Sequence, residues 1–190
     1  MPLSKPAPRK PIHERQIKLC AFEREDGLFD IEAHLVDTKP FTIQRRLENE
    51  SSPAGTHLHD LSIRFTVNSD FIIQSIEASS DRTPYPICAQ AQTTLSVLIG
   101  DSVGKGWTKL VKDKLRGTAS CTHLAELLIP MATVTFQAIK GLNFRAPVIH
   151  KTTHDFGLIN SCYAYADHRE VVMKLWPNRH NTLEDSKKQD

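Results

Sequence analysis

The chain has 190 residues, of which 39% are hydrophobic and 24% charged, and its formal net charge is +2. These values are ordinary for a globular protein, and the length suffices for a domain with a core of its own. Lys and Arg are scattered along the chain, so no nucleic-acid binding is expected. No apolar run reaches the roughly 18 residues of a membrane span, so none is predicted.

The four cysteines are informative because no stretch at the N-terminus is typical of a signal peptide. We therefore expect a cytoplasmic protein with reduced thiols. There, metal binding or thiol reactivity explains cysteines better than disulfides do. The sequence is compatible with an unknown protein partner and indicates no oligomeric state.

The first half of the chain has the pattern of strands. Residues 1–12 contain four prolines, which predict a flexible arm. Alternating apolar residues predict a β-hairpin over 17–37, with Gly27 in its turn, and a second hairpin over 61–78. The polar segment 38–56 between them is expected to be a loop.

The second half changes to helical spacing. Apolar residues recur every three or four positions from Cys88 to Ile99, from Trp107 to Leu115 and from Leu124 to Ala138. Pro130 is expected to kink or break the third helix. Residues 140–155 look irregular, and alternation over 160–176 predicts a late hairpin.

Strands followed by helices, without a βαβ rhythm, indicate an α+β fold. We predict an antiparallel sheet of N-terminal hairpins packed by about three helices, with an extra C-terminal β-hairpin. The predicted organisation is an arm (1–12), a single domain (13–178) and a disordered tail (179–190).

Two cysteines stand where a loop meets a predicted helix, Cys88 and Cys121. The N-terminal end of a helix favours the thiolate, which is the form that binds metal or attacks an electrophile. Cys88 also lies on the apolar stripe with Ala91 and Leu95, which is typical of a small core residue. Cys121 precedes its stripe, which favours a functional role.

Segment 57–139 resembles the IscU/NifU iron–sulfur scaffold fold. The resemblance rests on Leu58-His59-Asp60 before the second hairpin, on Cys88, and on Ser120-Cys121-Thr122-His123-Leu124-Ala125-Glu126. It implies that Asp60, Cys88 and Cys121 occupy ligand positions and converge in the folded protein. The family's first cysteine is Leu58 here, and its histidine before the last cysteine is Ser120.

Nearby residues are candidates to replace the two missing ligands. His59 or His57 replaces the first, His123 replaces the second, and Cys162 is a further thiolate. On a helix, His123 would face away from Cys121, so both bind one metal only if Cys121 has loop geometry. For Asp60 and for His59, an ordinary surface position is as well supported as a ligand role.

The chain as a whole resembles an uncharacterised bacterial family of domains of unknown function. The motifs that carry this resemblance are Asp26-Gly27, Ala33-His34-Leu35-Val36-Asp37-Thr38-Lys39, Pro84-Tyr85-Pro86-Ile87-Cys88, Gly104-Lys105-Gly106-Trp107 and Cys121-Thr122-His123-Leu124. The resemblance implies no activity.

Three functional hypotheses follow. The first is an accessory or scaffold-like protein that binds zinc or an iron–sulfur cluster through residues drawn from Asp60, Cys88, Cys121, His59 and His123. The second is an enzyme with Cys121 as nucleophile, His123 or His59 as base, and Asp60 orienting the base. The third is a structural interaction module.

Overall fold

The computed structural model describes residues 3–45, 47, 50–142 and 157–182. The chain divides into two compact units, Met1–Ile139 and Lys140–Asp190, and each is described by itself. The predicted division into an arm, one domain and a tail stays a prediction.

The first unit contains a four-stranded antiparallel sheet in the order β1-β2-β5-β6. Its strands are β1 (Glu14–Glu23), β2 (Phe29–Thr38), β5 (His57–Val67) and β6 (Ile73–Arg82), and a separate small sheet pairs β3 (Ile43–Gln44) with β4 (Ser51–Ser52). Both predicted hairpins are confirmed, as is the α+β class. The small sheet corrects the prediction of a loop over 38–56; its strands of two residues each are too short to show alternation.

The alternation of apolar residues fixes which sheet face is buried. Side chains on a strand point alternately to opposite faces. Ile31, Ala33 and Leu35 of β2 are at most 2% exposed, as are Leu61 and Ile63 of β5. This inner face forms one core with apolar helical side chains.

The three predicted helices follow the sheet in the first unit. They are a 3₁₀ helix (Pro86–Leu98), α1 (Trp107–Leu115) and α2 (Thr122–Gly141), whose last two residues lie beyond the unit boundary. A three-residue 3₁₀ helix (Gly117–Ala119) between α1 and α2 adds a fourth. Helix α2 continues through Pro130 instead of breaking there. No helix in the described part of the chain has the length and apolar character to cross a membrane.

The predicted C-terminal hairpin is wrong. In the second unit, Glu170–Leu175 forms a short helix, α3, and the residues from 157 to 165 form turns without a strand. Val172 and Trp176 are both buried and lie four residues apart, and Glu170 pairs with Lys174 at the same spacing. That spacing is helical. The predicted irregular segment 140–155 lies mostly outside the described residues.

Candidate metal site

A row of polar side chains crosses three strands at one end of the buried sheet face. Asp37 of β2 lies directly opposite Arg15 of β1 and directly opposite His59 of β5. All three follow the inward alternation of their strands, beyond the apolar Leu35 and Leu61. Asp37 is consequently 1% exposed. A buried carboxylate requires partners, and the row supplies them.

The carboxylate of Asp37 is surrounded by nitrogen atoms. Arg15 donates from Nε to Oδ1 at 2.7 Å and from Nη2 to Oδ2 at 2.8 Å. Nδ1 of His59 lies 2.9 Å from Oδ2, and Nε2 of His13 lies 3.3 Å from Oδ1. A carboxylate has about four lone-pair positions, and the hydrogen bonds from Arg15 and His59 take three of them.

The pKa of Asp37 is lowered below its ordinary value. Burial acts to raise this pKa, but the hydrogen bonds and charge of Arg15, together with those of His59, outweigh burial. Asp37 is therefore ionised at neutral pH and only accepts hydrogen bonds. Nδ1 of His59 must then be the donor, which leaves Nε2 of the neutral ring with a free lone pair.

Helix α2 brings a second imidazole to the row. His123 lies in the first turn of α2, and its ring centroid is 3.9 Å from that of His59, with the rings tilted by 37°. One ligand atom each from Asp37, His59 and His123 lie within 4.8 Å of one another. A tetrahedral zinc site with bonds of about 2.1 Å separates its ligand atoms by about 3.4 Å. A pair of ligand atoms at the 4.8 Å limit would have to approach by about 1.4 Å to reach this spacing.

Both histidines are held in the neutral form. Burial lowers the pKa of His59, and the nearby charge of His123 lowers it further, against the raising effect of Asp37. Burial also lowers the pKa of His123, followed by the charge of Arg15, against Asp37 and Glu126. Neutral imidazole is the form that binds metal, so neither ring must lose a proton at neutral pH.

Cys121 extends this group on the side of His123. Its Sγ lies 3.8 Å from Nδ1 of His123. Cys121 directly precedes α2, and its carbonyl oxygen accepts a hydrogen bond from the backbone N–H of Ala125 at 3.0 Å. The residue therefore caps the helix in loop geometry, which was the condition for Cys121 and His123 to act together.

The structure does not bring Asp60 to this group. Asp60 follows His59 on β5, and successive side chains point to opposite faces of a sheet. On the outer face, Asp60 accepts from His34 Nε2 at 2.7 Å and His57 Nδ1 at 2.8 Å. These hydrogen bonds, that of His34 first, lower the pKa of Asp60.

The predicted ligand Cys88 is also apart from the group. It is half-buried in the first turn of the 3₁₀ helix. Within the described residues, the set of three ligand atoms with metal-like spacing contains none of Cys88, Asp60 and Cys121. Cys162 is exposed and belongs to the second unit.

Sequence analysis identified His59, His123 and Cys121 but missed Asp37, Arg15 and His13. The signal for Asp37 was present, because it continues the buried stripe of Ile31, Ala33 and Leu35 at a spacing of two residues. A charged residue on a buried stripe is more informative than a charged residue in a turn. Arg15 becomes visible only through the strand register.

Comparison with known proteins gives a family without a known activity. Neither the curated proteins nor the solved structures contain a significant match to the chain. The resemblance to the IscU/NifU fold is thus not confirmed. A family model described as "Protein of unknown function (DUF2889)" matches residues 13–137, a segment that includes every residue of the row and both Cys121 and His123. The chain belongs to this family of proteins of unknown function.

Proposed function

We propose that the protein is a metal-binding accessory protein that holds one Zn²⁺ ion. Asp37, His59 and His123 supply three ligands, and Cys121, whose Sγ lies 3.8 Å from His123 Nδ1, would approach to become the fourth donor. The observation that carries this proposal is that one carboxylate oxygen and two imidazole nitrogens lie within 4.8 Å of one another. Zn²⁺ accepts oxygen, nitrogen and sulfur ligands in a tetrahedral arrangement, which suits this set.

The composition of the group favours zinc over an iron–sulfur cluster. Clusters are held by several thiolates, or by two thiolates and two histidines in the Rieske type. Among the described residues, Cys121 is the thiol within 4 Å of a histidine of this group. One sulfur, two nitrogens and one oxygen match a mononuclear site better than a cluster.

A second candidate function is a thiol-dependent enzyme. The observation that favours it is the 3.8 Å separation between Cys121 Sγ and His123 Nδ1. His123 would accept the thiol proton, and the thiolate would attack an electrophilic substrate. The ring of His59 lies against that of His123 at a tilt of 37°, and Asp37 orients His59. In this alternative Asp37 takes the orienting role expected of Asp60.

The first experiment is metal analysis of protein purified without a histidine tag. About one equivalent of zinc per chain is expected in wild type. His59→Ala and His123→Ala should each lose stoichiometric zinc, because a ligand is removed from a shared binding free energy. Asp37→Asn should weaken binding about 10- to 100-fold or more, the effect seen even for outer-shell carboxylates.

The matched control is the histidine–carboxylate group on the outer face. His34→Ala and Asp60→Asn remove a 2.7 Å contact of similar chemistry from the opposite side of the sheet, and they should retain zinc. Wild type that stays metal-free after zinc titration, and whose melting temperature does not respond to a chelator, would overturn the zinc proposal. Rapid alkylation of one thiol, Cys121, in such metal-free protein would favour the thiol enzyme.

A further inference from the structure

We infer that Arg15 closes the zinc site in the metal-free protein and must transfer from Asp37 to Glu126 before metal can bind. This inference rests on the proposed function and adds its regulation. It assigns Arg15 the role of a competing cation and Glu126 that of its second docking position.

The first argument is the occupation of the Asp37 carboxylate. Arg15 alone takes one position on each oxygen, at 2.7 Å and 2.8 Å. His59 takes a third position at 2.9 Å, and His13 lies beside Oδ1 as a 3.3 Å ion-pair contact. With three of about four lone-pair positions hydrogen-bonded, a metal ion that binds Asp37 would lie directly against these donors.

Charge identifies the donor that leaves. Zn²⁺ bound to Asp37 would lie within a few ångström of the guanidinium, since both would contact the same two oxygen atoms. The repulsion between a divalent ion and a guanidinium at this distance is strong where water is partly excluded. The imidazole of His59 carries no charge that opposes the metal. Of the two side chains that hydrogen-bond Asp37, Arg15 is therefore the one that must move.

Glu126 offers the position to which Arg15 moves. Its Oε2 already accepts from Nη1 of Arg15 at 3.1 Å. Glu126 stands on α2 three residues after His123, on the same side of the helix. It is 58% exposed, while Arg15 is 30% exposed, so both side chains have room to turn outward. The guanidinium thus keeps one carboxylate partner when it releases the other.

Substitutions at three charged residues, one of them a control, test this exchange in the full-length protein. Apparent zinc affinity is measured by competition with a chromophoric chelator. Arg15→Ala removes the competing cation and should bind Zn²⁺ at least about tenfold more tightly than wild type. Glu126→Gln removes the second docking position and should weaken binding about threefold or more. Arg64→Ala is the control, because Arg64 forms a similar fork with Glu32 and Glu77 on exposed positions.

The outcomes separate this inference from the proposed function. Wild type that binds zinc, with an Arg15→Ala affinity equal to or below that of wild type, overturns the exchange and leaves the zinc site standing. Zinc binding by both proteins, with Arg15→Ala about tenfold tighter than wild type, supports the exchange. No zinc binding by either protein overturns both.

The exchange can be tested even if Arg15→Ala does not fold, because a second variant reports on it. Glu126 is exposed, so Glu126→Gln should fold normally. A weaker zinc affinity in Glu126→Gln, with Arg64→Ala unchanged, supports the exchange. An affinity of Glu126→Gln that equals that of wild type overturns it.

Discussion

Replacement of Arg15 by Met should destabilise the metal-free protein by about 3 kcal/mol, because it leaves a buried carboxylate without its main partner. Arg15 makes two charge-assisted hydrogen bonds to Asp37, at 2.7 Å and 2.8 Å, and Asp37 is 1% exposed. Removal of one partner of a buried pair costs roughly 3–5 kcal/mol. The lower end applies, since Asp37 keeps His59 and His13 and Arg15 is 30% exposed.

Urea unfolding at pH 7 in the presence of a chelator measures this loss without a contribution from metal. At about 3 °C per kcal/mol, the melting temperature should fall by about 9 °C. Glu126→Ala removes an exposed contact of the same guanidinium and should cost less than about 1 kcal/mol. Arg15→Met with Asp37→Leu should recover most of the stability, because two apolar side chains replace the buried pair.

A loss below about 1 kcal/mol in Arg15→Met would refute the reasoning, because the pair would then contribute no more than a surface ion pair. A double variant that is no more stable than Arg15→Met would also refute the reasoning. The cost would then come from lost packing of the arginine stem and not from an unpaired carboxylate.

Two further predictions concern titration and the thiol. The folded-state pKa values of His59 and His123 lie below the ordinary 6.5, so the unfolded chain binds more protons and metal-free stability should fall as pH drops below about 6.5. Urea unfolding between pH 7.5 and 5 checks this, and a slope that is unchanged in His59→Gln would contradict it. Zinc should slow the reaction of Cys121 with iodoacetamide and leave that of Cys20 unchanged, as read by mass spectrometry; equal slowing of both thiols would remove Cys121 from the site.

The fold was predictable where the sequence pattern is long. Along the ten residues of β2, inward-facing and outward-facing side chains alternate, and Ile31, Ala33 and Leu35 are buried. An alternation of this length is typical of a β-strand with one buried face. The six residues of α3 are too few to separate a strand from a helix, and a contact between Glu170 and Lys174 decides in favour of the helix.

The site was predictable only in part, because its residues are selected by sheet register. His59 and Asp60 are neighbours in the sequence, yet a shift of one residue changes the face of the sheet. The resemblance to a scaffold family favoured Asp60, and the fold points His59 inward instead. Asp37 and Arg15 lie 22 residues apart and meet only because β1 and β2 pair in the observed register.

Charge compensation alone does not explain the whole group. Arg15 neutralises Asp37, so a purely structural role for the carboxylate needs no further cation. Two half-buried neutral imidazoles add no charge to that pair, so charge compensation does not account for their position beside it. A metal ion bound by His59 Nε2 and His123 would account for it. The double replacement of Arg15 by Met and Asp37 by Leu therefore separates the two roles: a structural pair predicts a stable protein with nothing else changed, whereas a metal site predicts a stable protein that has lost its zinc.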